Sequence, residues 1–274
     1  MKAALILGLC CSLVASAATA QSKDCKPVHS FKTITPGEIT VFYNQYPPFA
    51  YQDSGGQLKG IDVDILQRIA SDNCVKINAM VVDNAAVVQG VVAGKADLAI
   101  GGWYRSEARS KVLGLSEPVT LDLMGVASKD GVSDVSQMAN RKVGTVTGFL
   151  WVSDLKRLFG DNLQLYPTSV ALAQDLASGR LDVGIDSYIL QSYGQKLGSY
   201  RGLKVEVAKP NQQIPSSVQP AQTGFLYTKD NKGFGEAIDD TIDKMRKDGA
   251  ILKIVETYGQ SPTIADVGPP RLAK

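Results

Sequence analysis

Residues 97–118, DLAIGGWYRSEARSKVLGLSEP, hold the most chemistry in the chain. Leu98, Ala99 and Ile100 read as a strand that reaches two glycines and turns into a short helix. Ser106 suits the N-cap of that helix, because a hydroxyl accepts the unpaired amide protons of the first turn. Arg109 then falls in the first turn, where the helix dipole disfavours a cation by roughly 0.3–1 kcal/mol. A guanidinium in that place calls for an anion. Free amides at the helix start attract one, and a planar guanidinium fork suits a carboxylate. The alternative is a solvated arginine paired with Asp97, Glu107 or Glu117. The second candidate is Asp186 in DVGIDSY (182–188), at the end of an apolar strand. Its alternative role is capping the helix of Ser187–Gln191.

Short β-rich runs alternate with helical ones, which predicts α/β architecture. Glu38–Tyr43, Lys76–Val82 and residues 98–100 read as strands. Ile61, Ile65, Leu66 and Ile69 make one face of a helix capped by Asp62, and Val87, Val88, Val91 and Val92 belong to the next. Strand–helix–strand units of this kind imply parallel strands with right-handed crossovers. A partial repeat follows: AGKADLAIGG (93–102) is echoed by SGRLDVGIDS (178–187), each preceded by another strand. Two lobes of similar topology explain the echo, with chance likeness of a common helix-to-strand turn as the alternative. The first lobe is expected to hold 21–123 and 222–274, the second 124–221, joined by two hinge strands. Phe234, Ile238, Ile242 and Met245 form a further apolar helix face, Gly249 interrupts it, and 263–274 lack a period and are expected to trail over the surface. Ligands of open α/β sheets bind outside the carboxyl ends of the strands, here in a cleft between the lobes.

Net charge is +2 over 274 residues with no basic run, which argues against nucleic acid and charged membrane surfaces. Lys2, the apolar run Ala3–Ala15 and Ala18-Thr19-Ala20 read as a cleaved signal peptide covering 1–20, so the protein is expected to be exported to the periplasm. Cys10 and Cys11 leave with it. Cys25 and Cys74 remain; an even pair in an oxidising compartment favours a disulfide, worth about 4 kcal/mol, over the alternative of two unrelated thiols. The single histidine, His29, sits beside Ser30 near the mature N-terminus, a poor place for a triad base. No HExxH, CxxC, Walker or GxGxxG motif is present, so neither a metal nor a cofactor is expected.

The 97–118 segment resembles the signature of the bacterial extracellular solute-binding proteins of the polar amino-acid uptake family. Gly102, Ser106, Arg109, Ser116, Glu117 and Pro118 match it; Tyr104 and Arg105 do not. YPPFAYQDSGGQLKGIDVDIL (46–66), DVGIDSY (182–188) and KMRKDGAILKIVETYG (244–259) match in order as well. The resemblance implies a two-lobed periplasmic-binding fold of type II. It implies that the arginine at 109 takes a ligand α-carboxylate and Asp186 its α-ammonium, so that closure depends on a zwitterion. Gly102 would offer its carbonyl to the ammonium, unless it serves only a tight turn. Tyr46 would cover the ligand, with Phe49 as core, and Tyr43, Ser106, Gly148, Phe149 and Leu150 complete the implied binding set. Tyr104 and GFLW (148–151) replace small hydroxyl residues with bulk, which predicts a pocket more aromatic than the family's. Trp103 is expected to be core. The implied partners are a small amino acid, or a related zwitterion or amine, and the membrane permease of an ABC importer, with the protein a monomer. A small-carboxylic-acid lyase or dehydratase on the same fold is the alternative; keeping both Arg109 and Asp186 favours binding.

Overall fold

The computed structural model describes residues 25–274; the proposed leader lies outside the described residues. In chain order the first part contains β1 (Glu38–Tyr43), β2 (Tyr51–Gln52), β3 (Leu58–Lys59), α1 (Ile61–Asp72), β4 (Lys76–Val81), α2 (Asn84–Val92), β5 (Leu98–Tyr104), α3 (Glu107–Ser110), β6 (Leu113–Leu115) and β7 (Leu121–Asp122). There follow β8 (Met124–Ser128), β9 (Val143–Val146), α4 (Val152–Phe159), β10 (Leu163–Tyr166), α5 (Ser169–Ala177), β11 (Val183–Ser187), α6 (Tyr188–Lys196), β12 (Lys204–Val207) and α7 (Pro215–Val218). The chain returns through β13 (Ala221–Thr228), α8 (Lys232–Lys247) and α9 (Ala250–Thr257).

Two large sheets and a small β2-β3 ribbon result among the described residues, and the fold is two-lobed. One runs β4-β1-β5-β13-β6 with β7 on β13, the other β10-β9-β11-β8-β12. β1 is parallel to β4 and β5, and β9 is parallel to β10 and β11, as strand–helix–strand units demand. The returning β13 lies antiparallel to β5. The chain crosses between sheets after β7 and again before β13, and the crossings touch: Asp122 is opposite Ala221 and Leu121 opposite Gln222. Two paired strands at one place form a hinge.

Apolar periodicity explains what packs on these sheets. Ile61, Ile65, Leu66 and Ile69 on α1 are fully buried beside Phe234, Ile238 and Ile242 of α8. In the second sheet, Val126, Val143, Val183 and Ile185 meet Trp151 and Leu155 on one side. Leu172, Leu176 and Tyr200 cover the other. One helix bridges the lobes: Ile189 of α6 is buried in the first lobe's core. Tyr193 on the same helix shares a 2.9 Å hydrogen bond with the hydroxyl of Tyr51. A disulfide joins Cys25 to Cys74.

Two expectations are corrected. Gly60, at φ 137°, rather than Asp62 stands at the N-cap of α1, because a Cβ there would lie 2.1 Å from the Phe49 carbonyl. The C-terminal segment does not trail loosely. Ile264 and Val267 are buried in the first lobe's core, and the Gln222 amide donates to the carbonyls of Val267 and Pro269 at 2.8 Å each. Buried Arg105 donates to the Arg271 carbonyl at 2.7 Å, and the backbones of Arg105 and Glu107 pair with Ala273. An extended strap held by backbone and by two polar side chains needs no hydrophobic period, which is why its pattern was silent. Arg105 also donates to the carbonyl of Ser116 and to Gln222. Arg105→Ala is therefore expected to cost at least about 2 kcal/mol, since it removes the guanidinium donor from the buried Ser116 carbonyl and from the Arg271 carbonyl that ties down the strap. Urea unfolding checks this, with a lowered midpoint at unchanged slope.

Candidate functional site

A cavity of about 830 Å³ opens between the lobes, walled by the ends of β5 and β9, the Tyr46 turn, Asp122 of the hinge and the first turn of α5. The β5 end is held from below. Asp62, 1% exposed, accepts the amide protons of Gly101 and Gly102 at 2.8 and 2.9 Å. Burial pushes its carboxyl up to about 6 while those two amides pull it down. Gly102, at φ 68°, leaves room for the Phe49 ring, which a Cβ would approach to 3.0 Å.

From this anchored end, Trp103 turns into the core and Tyr104 into the cavity. The Ser106 hydroxyl caps α3 by accepting from the Arg109 amide at 3.3 Å. The Arg109 guanidinium donates to the Tyr104 carbonyl at 2.8 Å and lies 4.9 Å over the Trp103 ring, so Trp103 serves as both core and shelf. Burial lowers its pKa from the ordinary arginine value. Among the described residues its guanidinium has no carboxylate partner. Of the pairing alternatives, Asp97 is engaged elsewhere, accepting the amides of Ile34 and Thr40.

In the second lobe, Asp186 lies next to the end of β11 with no exposed surface, and it stands behind the cavity wall rather than in it. One oxygen accepts the Ser187 amide at 2.8 Å. The other, Oδ2, is buried without a hydrogen-bond partner. Burial pushes this carboxyl up to about 7; the Ser169 hydroxyl and the Ser187 amide favour its charge, and Asp122 opposes it. The capping alternative is met only by that adjacent amide, since Ser187 itself is the N-cap residue of α6 and caps nothing with its side chain.

The remaining candidates separate. Tyr46, stacked on Phe49 with centroids 5.8 Å apart, lines the cavity with Gly102, Tyr104, Arg109, Gly148 and Phe149. Phe149 stacks on Trp151 at 4.5 Å and faces Tyr104 at 6.5 Å across the gap. Tyr43 is 1% exposed within the first lobe's core, and neither it, Ser106 nor Leu150 forms cavity wall. Phe49, expected as core, is 2% exposed and also floors the cavity.

Asp122 is a site residue that the sequence pattern does not single out. This hinge carboxylate is 5% exposed, lines the cavity and accepts hydrogen bonds from the hydroxyls of Tyr104 and Ser187. Burial raises it to about 6, against the pull of those two hydroxyls. The available signal was a lone acid inside the apolar run TLDLMGV.

These buried acids set a pH dependence. Asp62, Asp122 and Asp186 carry folded pKa values of about 6, 6 and 7, and Asp239 one of about 6, all raised mainly by burial. Unfolded carboxyls titrate near 4, so between about pH 4 and 7 the folded state binds more protons than the unfolded chain. Stability must then fall as pH rises through that window. The thermal midpoint of the unliganded protein is expected to be higher at pH 5.5 than at pH 8, and a midpoint that drops on acidification in this range contradicts the assignment.

The family model of the bacterial extracellular solute-binding proteins, family 3, matches residues 39–261. A probable histidine-binding protein of Neisseria gonorrhoeae is 26% identical over 94% of this chain and 96% of its own length. The L-cystine-binding protein of Escherichia coli K12 is 22% identical over 78% of this chain and 79% of its own. Among solved structures, an amino-acid ABC transporter substrate-binding protein of Streptococcus pneumoniae bound to L-arginine superposes with a TM-score of 0.66 at 27% identity, covering 81% of this chain and 94% of that one. With the family model spanning both lobes and the cleft between them, the chain belongs to the bacterial extracellular solute-binding proteins, family 3.

Proposed function

We propose that this protein is the periplasmic substrate-binding component of an ABC importer, and that it binds an amino acid or amino-acid derivative in the aromatic-lined cleft. Arg109 takes the ligand carboxylate and Asp186 its ammonium. The observation that carries the reading is a cavity-lining guanidinium without a carboxylate in one lobe and, behind the wall in the other, a buried carboxyl whose Oδ2 has no hydrogen-bond partner. The relatives named for histidine, cystine and arginine support the ligand class. Hydrogen bonds to charged groups are worth roughly 1.5–3 kcal/mol each, enough to bias an open–closed balance of a few kcal/mol. Tyr46 and Phe149 close on the ligand from opposite lobes. The protein acts as a monomer that delivers its ligand to a membrane permease, and export removes the leader near Ala20.

A thermal-shift screen of amino acids, opines and quaternary amines tests this. A true ligand at 100 times its dissociation constant stabilises the fold by about 2.7 kcal/mol. No shift from any amino acid contradicts the reading. Mass-spectrometric turnover of a bound acid moves the protein to the dehydratase class instead.

A further inference from the structure

The cavity wall carries one base and one acid, and a second acid stands buried behind it. Among the described residues, Arg109 is the one basic side chain in the cavity wall, and Asp122 lies there too. Asp186 stands behind the wall, close enough to act electrostatically on the hydroxyls of Tyr46, Tyr104 and Tyr200. Its Oδ2 is buried and unpartnered, and so is the side-chain oxygen of Asn44, which also lines the cavity. Both orphan atoms are acceptors. Asp122 is met only by neutral hydroxyls, those of Tyr104 and Ser187, which hold its shape but bring no positive charge. Buried charge without a countercharge is costly, so the arrangement anticipates N–H donors and positive charge from outside. Aromatic faces at Tyr46, Tyr104 and Phe149 add a surface that attracts cations.

We propose that Asp122 is a specificity-determining residue that makes the cleft select ligands of net positive charge, namely amino acids carrying a second basic group. The inference rests on the amino-acid reading above and deepens it. Once Arg109 has met the ligand carboxylate, two carboxylates remain for two cationic groups, and Asn44 supplies a further acceptor. A ligand with one ammonium leaves one of the acids unneutralised. Tyr104, which donates to Asp122, holds that carboxylate at the point where hinge and both lobes meet.

Calorimetric titration of the full mature protein at pH 8 with L-arginine, L-lysine, L-glutamine and L-leucine tests the proposal. The basic pair is expected to bind at least about 10-fold more tightly than the neutral pair, as one added charged hydrogen bond predicts. Asp122→Asn keeps the shape and removes the charge; it is expected to weaken the basic ligands by about 10–100-fold and the neutral ones by less than about 3-fold. Neutral ligands binding as well as basic ones in the unmutated protein overturn the proposal and leave the amino-acid reading standing, whether or not the variant folds. Equal losses for both pairs in Asp122→Asn also overturn it, reducing Asp122 to a support for Tyr104. Binding by none of the four overturns the proposal, while the amino-acid reading is decided by the wider thermal-shift screen.

Discussion

Arg109→Ala is expected to leave a folded protein whose affinity for carboxylate-bearing ligands falls by about 2–5 kcal/mol, the usual cost of removing one partner of a desolvated charge pair. The fold should survive because the guanidinium supports little: one bond to the Tyr104 carbonyl and a place above Trp103. Arg109→Lys restores charge but not the bidentate fork, so it should recover only part of the loss. Calorimetry on the alanine variant, with the thermal midpoint as a control on folding, reads both effects. Unchanged affinity removes Arg109 from the site.

The largest stability effect is expected at the disulfide. Cys25 and Cys74 are 49 residues apart in sequence, and closing a loop of that length in the unfolded chain is worth about 4 kcal/mol. The bond fastens the segment before β1 to the end of α1, where the Val28 amide donates to the Asp72 carbonyl and the His29 amide to Asn73. Phe31 packs 4.8 Å from Phe234 a few residues on. The double serine variant should lose most of that 4 kcal/mol by urea unfolding, and the oxidised protein should approach the same value on reduction. A loss below about 1 kcal/mol indicates that those local contacts already restrain the segment, as happens where the unfolded chain keeps structure.

How far the sequence foretold the molecule depended on whether a residue's partners were local or periodic. The α1 stripe and the α8 stripe repeat at helical spacing, so their buried faces were readable directly. The echo of 93–102 in 178–187 placed β5 and β11 in corresponding positions of two sheets, but Arg109 lies beyond the repeat on α3 and Asp186, within β11, stands behind the cavity wall. Asp62 was legible only in part. Its place in the first turn of α1 accords with the helix dipole, but its real partners, the amides of Gly101 and Gly102, lie 39 and 40 residues away. Asp122 hid for a related reason: a single acid in an apolar strand gives no period, and its donors come from β5 and from the end of β11. The strap over 267–273 hid because backbone and long polar side chains hold it.

The central claim is that a small molecule carrying both charges draws the lobes together through Arg109 and Asp186. The direct measurement compares, by calorimetry on one protein preparation, an L-amino acid with its decarboxylated amine and its deaminated acid: L-arginine, agmatine and 5-guanidinopentanoate, or L-phenylalanine, phenethylamine and 3-phenylpropanoate. The account predicts that each truncated analogue binds at least about 10-fold more weakly than its parent, the worth of one charged hydrogen bond. An amine or an acid that binds as tightly as its parent amino acid contradicts it.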